Sequence, residues 1–350
     1  MKKMIIDGRT ISRQNAPYII AEMSANHNGD IEKAFAIISA AKKAGASAVK
    51  MQTYTADTLT LDSRLPDFMI NGGLWDGQSL YELYQSAYTP WAWHKPLFEH
   101  AKKQEITIFS SPFDNSAVDL LEDLNAPAYK IASFEVVDLE LIKYAASTGK
   151  PLIMSTGMAT KDEIGEAVSC AREAGCQQLA ILHCVSGYPS PVADCNLATI
   201  TDMAETFGLL TGLSDHSLSN GPAVASVALG ACIIEKHFTL DRLGGGADDS
   251  FSMEPKDLEQ LVALTSSAHA AIGTVGYQLK QSEVDNIKFR RSLYFVKALE
   301  VGEIITRDSV RSIRPGYGML PKMLPSVIGS KVMVSVQIGT PVTEDVIDKA

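Results

Sequence analysis

Gly212-Leu213-Ser214-Asp215-His216-Ser217 and, after a segment of small apolar residues, Ile233-Ile234-Glu235-Lys236-His237-Phe238 decide how this chain folds. Each is a short hydrophobic run that stops at polar residues with a histidine among them. The residues between, 221–230, read as one helix. Strand, helix, strand with chemistry at each strand end is a parallel α/β unit whose strand C-termini hold a site. His216 and His237 then occupy neighbouring strand ends, near enough to share a metal ion. A lone histidine is more often a core or surface residue than a ligand, so the rest of the chain has to carry the pattern.

The same unit recurs toward the N-terminus. Tyr18-Ile19-Ile20-Ala21 ends at Glu22 and is followed by a helix over residues 31–44. Ala48-Val49 leads to Lys50 and Gln52; Thr107-Ile108-Phe109 ends at Ser110 and Ser111. Ala128-Tyr129-Lys130-Ile131 precedes Ser133 and Glu135, and Leu152-Ile153-Met154 ends at Ser155 and Thr156. Leu179-Ala180-Ile181-Leu182 runs into a loop with Tyr188, and Leu209-Leu210-Thr211 and Cys232-Ile233-Ile234 are the two histidine strands. Eight such units, the last with a helix over 255–272, predict a closed (β/α)8 TIM barrel at residues 1–273. No Gly-x-Gly-x-x-Gly follows the first strand, which weighs against an open dinucleotide-binding sheet. A long excursion over residues 53–90 interrupts the pattern, and insertions of that length are usually functional.

Past Gly273 the periodicity changes. Residues 274–290 are polar and read as a linker; residues 291–350 carry short β-like runs broken by Gly and Pro, a small β-rich C-terminal domain. The net charge of -10 argues against nucleic acid or an anionic membrane as partner. Five cysteines with no C-x-x-C pair suit reduced thiols and exclude a cysteine zinc site. Lys2 and Lys3 are followed by no apolar signal region, and the longest apolar run, 222–234, is too short to cross a bilayer. A cytoplasmic protein is expected.

Every strand delivers polar residues at one end, which random surface polarity would not do. Lys50 and Lys130, set among hydroxyls and glycine turns, suit an anion with more than one charged group. Two histidines cannot close a structural zinc shell, but they leave positions open for water and a substrate oxygen, as a Lewis-acid metal needs.

Collected in order, Ala21-Glu22-Met23-Ser24-Ala25-Asn26-His27-Asn28-Gly29, Lys50-Met51-Gln52-Thr53-Tyr54, Ser110-Ser111-Pro112-Phe113, Tyr129-Lys130-Ile131-Ala132-Ser133, Ser155-Thr156-Gly157-Met158 and the two histidine segments resemble the sialic acid synthase family over essentially the whole chain. The segment with Ile313-Arg314-Pro315-Gly316 resembles that family's antifreeze-like (SAF) domain. Within the family, Ile70-Asn71-Gly72-Gly73-Leu74-Trp75-Asp76 and Leu80-Tyr81-Glu82-Leu83-Tyr84 are most similar to the pseudaminic acid synthases, as is Ser133-Phe134-Glu135 where neuraminate synthases have Ser-Gly-Glu. Phe134 is of a bulk to suit a sugar with a methyl group at C6.

The resemblance implies a transferase that forms a C–C bond between phosphoenolpyruvate and 2,4-diacetamido-2,4,6-trideoxy-L-altrose and releases phosphate by C–O cleavage. N-acetylneuraminate and legionaminate synthases are the alternatives within the family. More distant ones are a metal-dependent aldolase and a non-catalytic carbohydrate-binding protein. It implies a divalent metal on His216 and His237, Mn²⁺ first with Mg²⁺ or Co²⁺ as alternatives, and catalytic roles for Glu22, Glu135, His216 and His237. Substrate contacts fall to Lys50, Gln52, Ser111, Lys130, Ser133, Ser155, Tyr188, Ser214, Asp248 and Arg314, with Asp249 a rival for Asp248. In the family Arg314 would come from the other protomer of a domain-swapped homodimer.

Overall fold

The structure, a computed structural model, describes residues 2–348. Met1, Lys349 and Ala350, at the outer ends of the two expected domains, lie outside the described residues. The chain divides into two compact units at Gly273 and Thr274.

In the first unit, a hairpin of β1 (Met4–Ile6) and β2 (Arg9–Ile11) precedes eight parallel strands. They are β3 (Tyr18–Glu22), β4 (Ala48–Thr53), β5 (Thr107–Pro112), β6 (Tyr129–Ile131), β7 (Leu152–Ser155), β8 (Leu179–Cys184), β9 (Leu210–Ser214) and β10 (Ala231–His237). They run in sequence order around a closed barrel, with β10 paired to β3. Closure follows from strands buried on both faces: β3, β7, β8 and β9 have no exposed or half-buried residue.

Alternation along these strands sorts the core into layers. Ile20, Ala48, Phe109, Ile153, Ala180, Leu182 and Ile233 fill the barrel interior. Met4, Ile6 and Ile11 of the hairpin join that cluster. Ile5 N–H donates to Gln178 Oε1, just before β8, so the hairpin closes the N-terminal mouth. The sequence reading passed over this hairpin, whose three-residue strands are too short for a period to register. Ile19, Val49, Ile108 and Ile234 point the other way and pack on the surrounding helices. Each such buried side chain contributes roughly 1.5–3 kcal/mol, so the two-sided burial of the strands dominates the stability of this unit. A Cβ on Gly212 would meet Ile233 O at 2.2 Å and Leu182 at 2.6 Å, so glycine there lets β9 close against its neighbours.

The excursion over 53–90 contains two short helices, Ala56–Leu59 and Leu80–Ala87; the second starts with a capping box between Ser79 and Glu82. In the second unit, β11 (Ser292–Phe295) pairs antiparallel with β12 (Val310–Ile313), and β13 (Lys331–Val332) with β14 (Ile347–Asp348). Leu293, Phe295, Ile305, Val310, Val332 and Val342 form its core. The segment read as a linker contains a 3₁₀ helix, Gln281–Phe289.

Candidate active site

The C-terminal mouth of the barrel opens into a cavity of about 500 Å³. Glu22, Lys50, Gln52, Lys130, Ser133, Glu135, Ser155, Tyr188, Ser214, His216, His237 and Asp248 all line it, brought together from seven of the eight strands or the loops that follow them. Two residues named from the sequence do not. Ser111, on β5, is fully buried behind Lys50 and accepts a hydrogen bond from its ammonium at 3.2 Å. Arg314 directly follows β12 in the second unit and is exposed there.

The floor is a buried charge cluster. Lys50 Nζ lies 3.1 Å from Glu22 Oε2 and 3.2 Å from Glu235 Oε1, and Lys130 Nζ lies 3.3 Å from the same Glu235 oxygen. All four side chains are at least nine-tenths buried. Burial alone would raise the Glu235 carboxyl, but Lys130 and Lys50 outweigh it and hold it at about 2. Burial wins at Glu22, which is raised despite Lys50, and at Lys130, which is lowered despite Glu235. Glu135 is pushed up to about 7 by burial, its own backbone hydrogen bond and Lys130 offsetting only part of the effect.

Glu235 had no role in the sequence reading. The available signal was its position two residues before His237, which on a strand puts both side chains on one face. Ser24, Cys184 and Ser186 also line the cavity unforeseen, because they lie on turns or at a strand end without a repeating pattern. Gln52 Nε2 donates to Glu22 Oε1 at 3.0 Å and Ser24 Oγ at 2.9 Å, and Ser24 Oγ donates to Asp248. The neighbouring Asp249 is occupied elsewhere, accepting from Thr239, Asn28 and Gly246 N–H, so of the two aspartates Asp248 faces the cavity.

The two histidine rings stand 5.4 Å apart, centroid to centroid, with Tyr188 against both. Burial alone would lower the His216 ring, but Cys184, Val185 O and Glu235 outweigh it and raise the ring above the ordinary imidazole value. Its Nδ1 lies 2.9 Å from Val185 O, so donation to that carbonyl makes Nε2 the nitrogen that a cation would claim in exchange for a proton. His237 is held well below the ordinary imidazole value by burial and by the positive charges near it, and so stays neutral. Its Nδ1 lies 3.5 Å from Asp248 Oδ2 and makes no hydrogen bond. Glu135 Oε2, Ser155 Oγ and Glu235 Oε2, on the same cavity, are likewise buried without a hydrogen-bond partner. Buried polar atoms left unpaired at one spot mark a place where a polar ligand completes the bonding. The outer half of the cavity is apolar, with Leu59, Ile70, Leu80, Leu83 and Tyr84 of the 53–90 excursion facing Phe113 and Phe134.

Residues 37–277 match the model of the NeuB family. The chain belongs to the NeuB family. Residues 290–347 match the SAF domain, so this NeuB-family barrel is followed by an antifreeze-like module, as expected. A pseudaminic acid synthase of Helicobacter pylori is 41% identical over 95% of this chain and 98% of its own length. One from Campylobacter jejuni subsp. jejuni serotype O:2 is 43% identical, covering 92% of this chain and 94% of its own. The crystal structure of an N-acetylneuraminic acid synthetase from Leptospira borgpetersenii, in complex with citrate, superposes with a TM-score of 0.74 at 31% identity, covering 83% of this chain and 96% of that one.

Proposed function

We propose that this chain is a pseudaminic acid synthase, a transferase that condenses phosphoenolpyruvate with 2,4-diacetamido-2,4,6-trideoxy-L-altrose and releases inorganic phosphate. The observation that carries the reading is the pairing of two buried ammonium groups with unpaired polar atoms at the floor of one cavity that has an apolar outer half. A small dianionic ester suits the floor; a 6-deoxy sugar with two acetamido methyls suits the walls. Kinship to two pseudaminic acid synthases over nearly the whole chain supports the same choice among nonulosonic acids.

Lys50 and Lys130, with Ser133, Ser155 and Ser214, bind the phosphate and carboxylate of phosphoenolpyruvate, while Ser111 fixes Lys50 from behind. C3 of the enol phosphate attacks the aldehyde carbon, and cationic character develops at C2. The ionised Glu135 stabilises that charge. Water adds at C2, the hydroxyl proton is lost, and the C2–O bond to phosphate breaks, leaving the 2-keto acid. Glu22, joined to Gln52 and Ser24, is placed to transfer a proton, and Tyr188 and Asp248 orient the sugar.

The neutral His237 and the Nε2 of His216 fit a divalent cation. Imidazole donors disfavour Mg²⁺, and Mn²⁺ is placed first, with Mg²⁺ or Co²⁺ as alternatives, because the family resemblance implies it. Among the described residues no three His, Cys, Asp or Glu groups are set to enclose a metal ion, so water and substrate would fill the other positions. When bound, such a cation supplies Lewis-acid polarisation of the aldehyde oxygen.

A second copy of the chain supplies Arg314 to the sugar in this reading, as a domain-swapped homodimer. The exposed Val275, Tyr277, Leu279 and Phe289, on the segment that follows the barrel, support an apolar contact with a partner. We place the reaction in the cytoplasm, where phosphoenolpyruvate is formed. No helix among the described residues is long and apolar enough to cross a membrane. With phosphoenolpyruvate carrying ¹⁸O in the bridging position and the trideoxy sugar as acceptor, the label is expected in released phosphate. No phosphate release with this acceptor, or label retained in the sugar acid, would overturn the reading.

A further inference from the structure

Just past β9 and on β10 the residues beside the two histidines point away from the cavity, and they meet. Lys236 Nζ lies 2.8 Å from Asp215 Oδ2, and both side chains are 2% exposed. The same ammonium donates to Ser217 O at 2.6 Å and Ser219 O at 3.3 Å, so all three of its protons are used. Asp215 Oδ1 accepts from Ser217 N–H at 2.9 Å. His216 stands between the two residues so clamped, and Lys236 directly precedes His237. A further bond, Asp215 N–H to Glu235 O at 2.8 Å, ties the same two strand ends together.

A buried ion pair is a poor way to stabilise a fold, since desolvation consumes most of the attraction and a well-packed apolar pair often does as well. What an apolar pair cannot do here is hold the carbonyls of Ser217 and Ser219, which the ammonium fixes in place. The backbone on both sides of His216 is therefore set by a side chain from the strand that carries His237.

We propose that Asp215 and Lys236 are positioning residues that fix the separation of the two histidine rings for a shared divalent cation. They touch neither substrate nor cavity. The inference rests on the reading of His216 and His237 as the metal-binding pair.

The test uses the double variant Asp215→Asn/Lys236→Met, in which no uncompensated charge is buried and Asn keeps the acceptor for Ser217 N–H. Mn²⁺ affinity of the substrate-free full-length protein is read by electron paramagnetic resonance, beside thermal unfolding in EDTA and the KM for phosphoenolpyruvate. The expected result is a loss of Mn²⁺ affinity of roughly ten- to a hundredfold, a KM for phosphoenolpyruvate within about twofold of the parent, and cooperative unfolding retained. Parent-like Mn²⁺ affinity in the folded double variant would overturn the positioning role. If the double variant does not fold, Lys236→Arg takes its place: a weakened Mn²⁺ affinity sustains the role and an unchanged one removes it. His216→Ala is run alongside; parent-like Mn²⁺ binding there would instead remove the metal reading, and the inference with it.

Discussion

Glu235 reaches both lysines of the cavity floor with one oxygen, 3.2 Å from Lys50 and 3.3 Å from Lys130. Lys50 in turn reaches Glu22. Two cations and two carboxylates are thus interleaved, so the floor is preorganised and nearly neutral before a dianion arrives. Substrate has to compete with, or rearrange around, carboxylates already in place.

Lys50→Met leaves Glu22 and Glu235 short of a partner. The expected loss of stability is about 3–5 kcal/mol, the usual penalty for an uncompensated buried charge. Lys50→Met/Glu22→Gln, which leaves Glu235 paired with Lys130, should recover much of that stability in denaturant titrations, yet calorimetry should detect no phosphoenolpyruvate binding. Recovery of binding in the double variant would show that Lys50 serves the fold alone.

Glu135 sits near 7 because burial disfavours its charge, opposed by Lys130 and Lys50 and reinforced by Asp138. Its ionised form is the one that stabilises positive charge, so kcat/KM should rise with pH through about 7 on this limb, and Glu135→Gln should flatten it. Stability runs the other way. A carboxyl raised on folding stabilises the protein below its unfolded value, and that contribution fades as pH climbs through the folded one. Relative to the parent, Glu135→Gln should therefore be more stable at pH 8 than at pH 5, by on the order of 2–3 kcal/mol. Equal differences at both pH values would place Glu135 in an ordinary solvated environment.

His216→Ala and His237→Ala should each lower metal-dependent phosphate release at least about a hundredfold, the scale of losing an electrostatic stabiliser in a dry site. His237 is held neutral in the fold, while its unfolded imidazole takes up a proton below about 6.5, so the parent loses stability as pH falls through that value. In EDTA the stability lost in His237→Ala should therefore be smaller at about pH 5.5 than at about pH 8. Full turnover in either variant would remove the histidines from the chemistry.

Phe134 lines the cavity yet is 54% exposed, so it can be trimmed without opening the core. Phe134→Gly should lower kcat/KM for the 6-deoxy acceptor by roughly tenfold, the worth of one methyl contact, and narrow its advantage over a 6-hydroxy acceptor. An unchanged ratio between the two acceptors would assign the methyl group to another wall.

Mixing inactive His237→Ala chains with inactive Arg314→Ala chains should restore part of the activity, since one of the sites in a mixed dimer would be intact. No recovery after co-refolding would count against a shared site.

The barrel was legible because a parallel strand buried on both faces is a continuous apolar run, and eight such runs each ended in polar residues. The element that escaped was the one without a period, the β1–β2 hairpin. The 53–90 excursion reads as loop and short helix, and it holds two short helices whose apolar residues face a cavity instead of a repeating core. The role of Glu235 is not legible in its motif, because a carboxylate among lysines looks like any charged residue until its burial is known.

What the sequence by itself determined is the order of strands and the chemical types gathered at one mouth, since both follow from local periodicity and from where each run stops. The tertiary structure alone decided which of those groups touch. Strand register brought Glu235 between the lysines, put Ser111 behind Lys50, turned Asp248 inward and Asp249 away, and joined Asp215 to Lys236. Such pairings depend on side chains 21 to 224 residues apart arriving within hydrogen-bond reach. Distances of that kind are set by the closure of the barrel, and no local pattern encodes them.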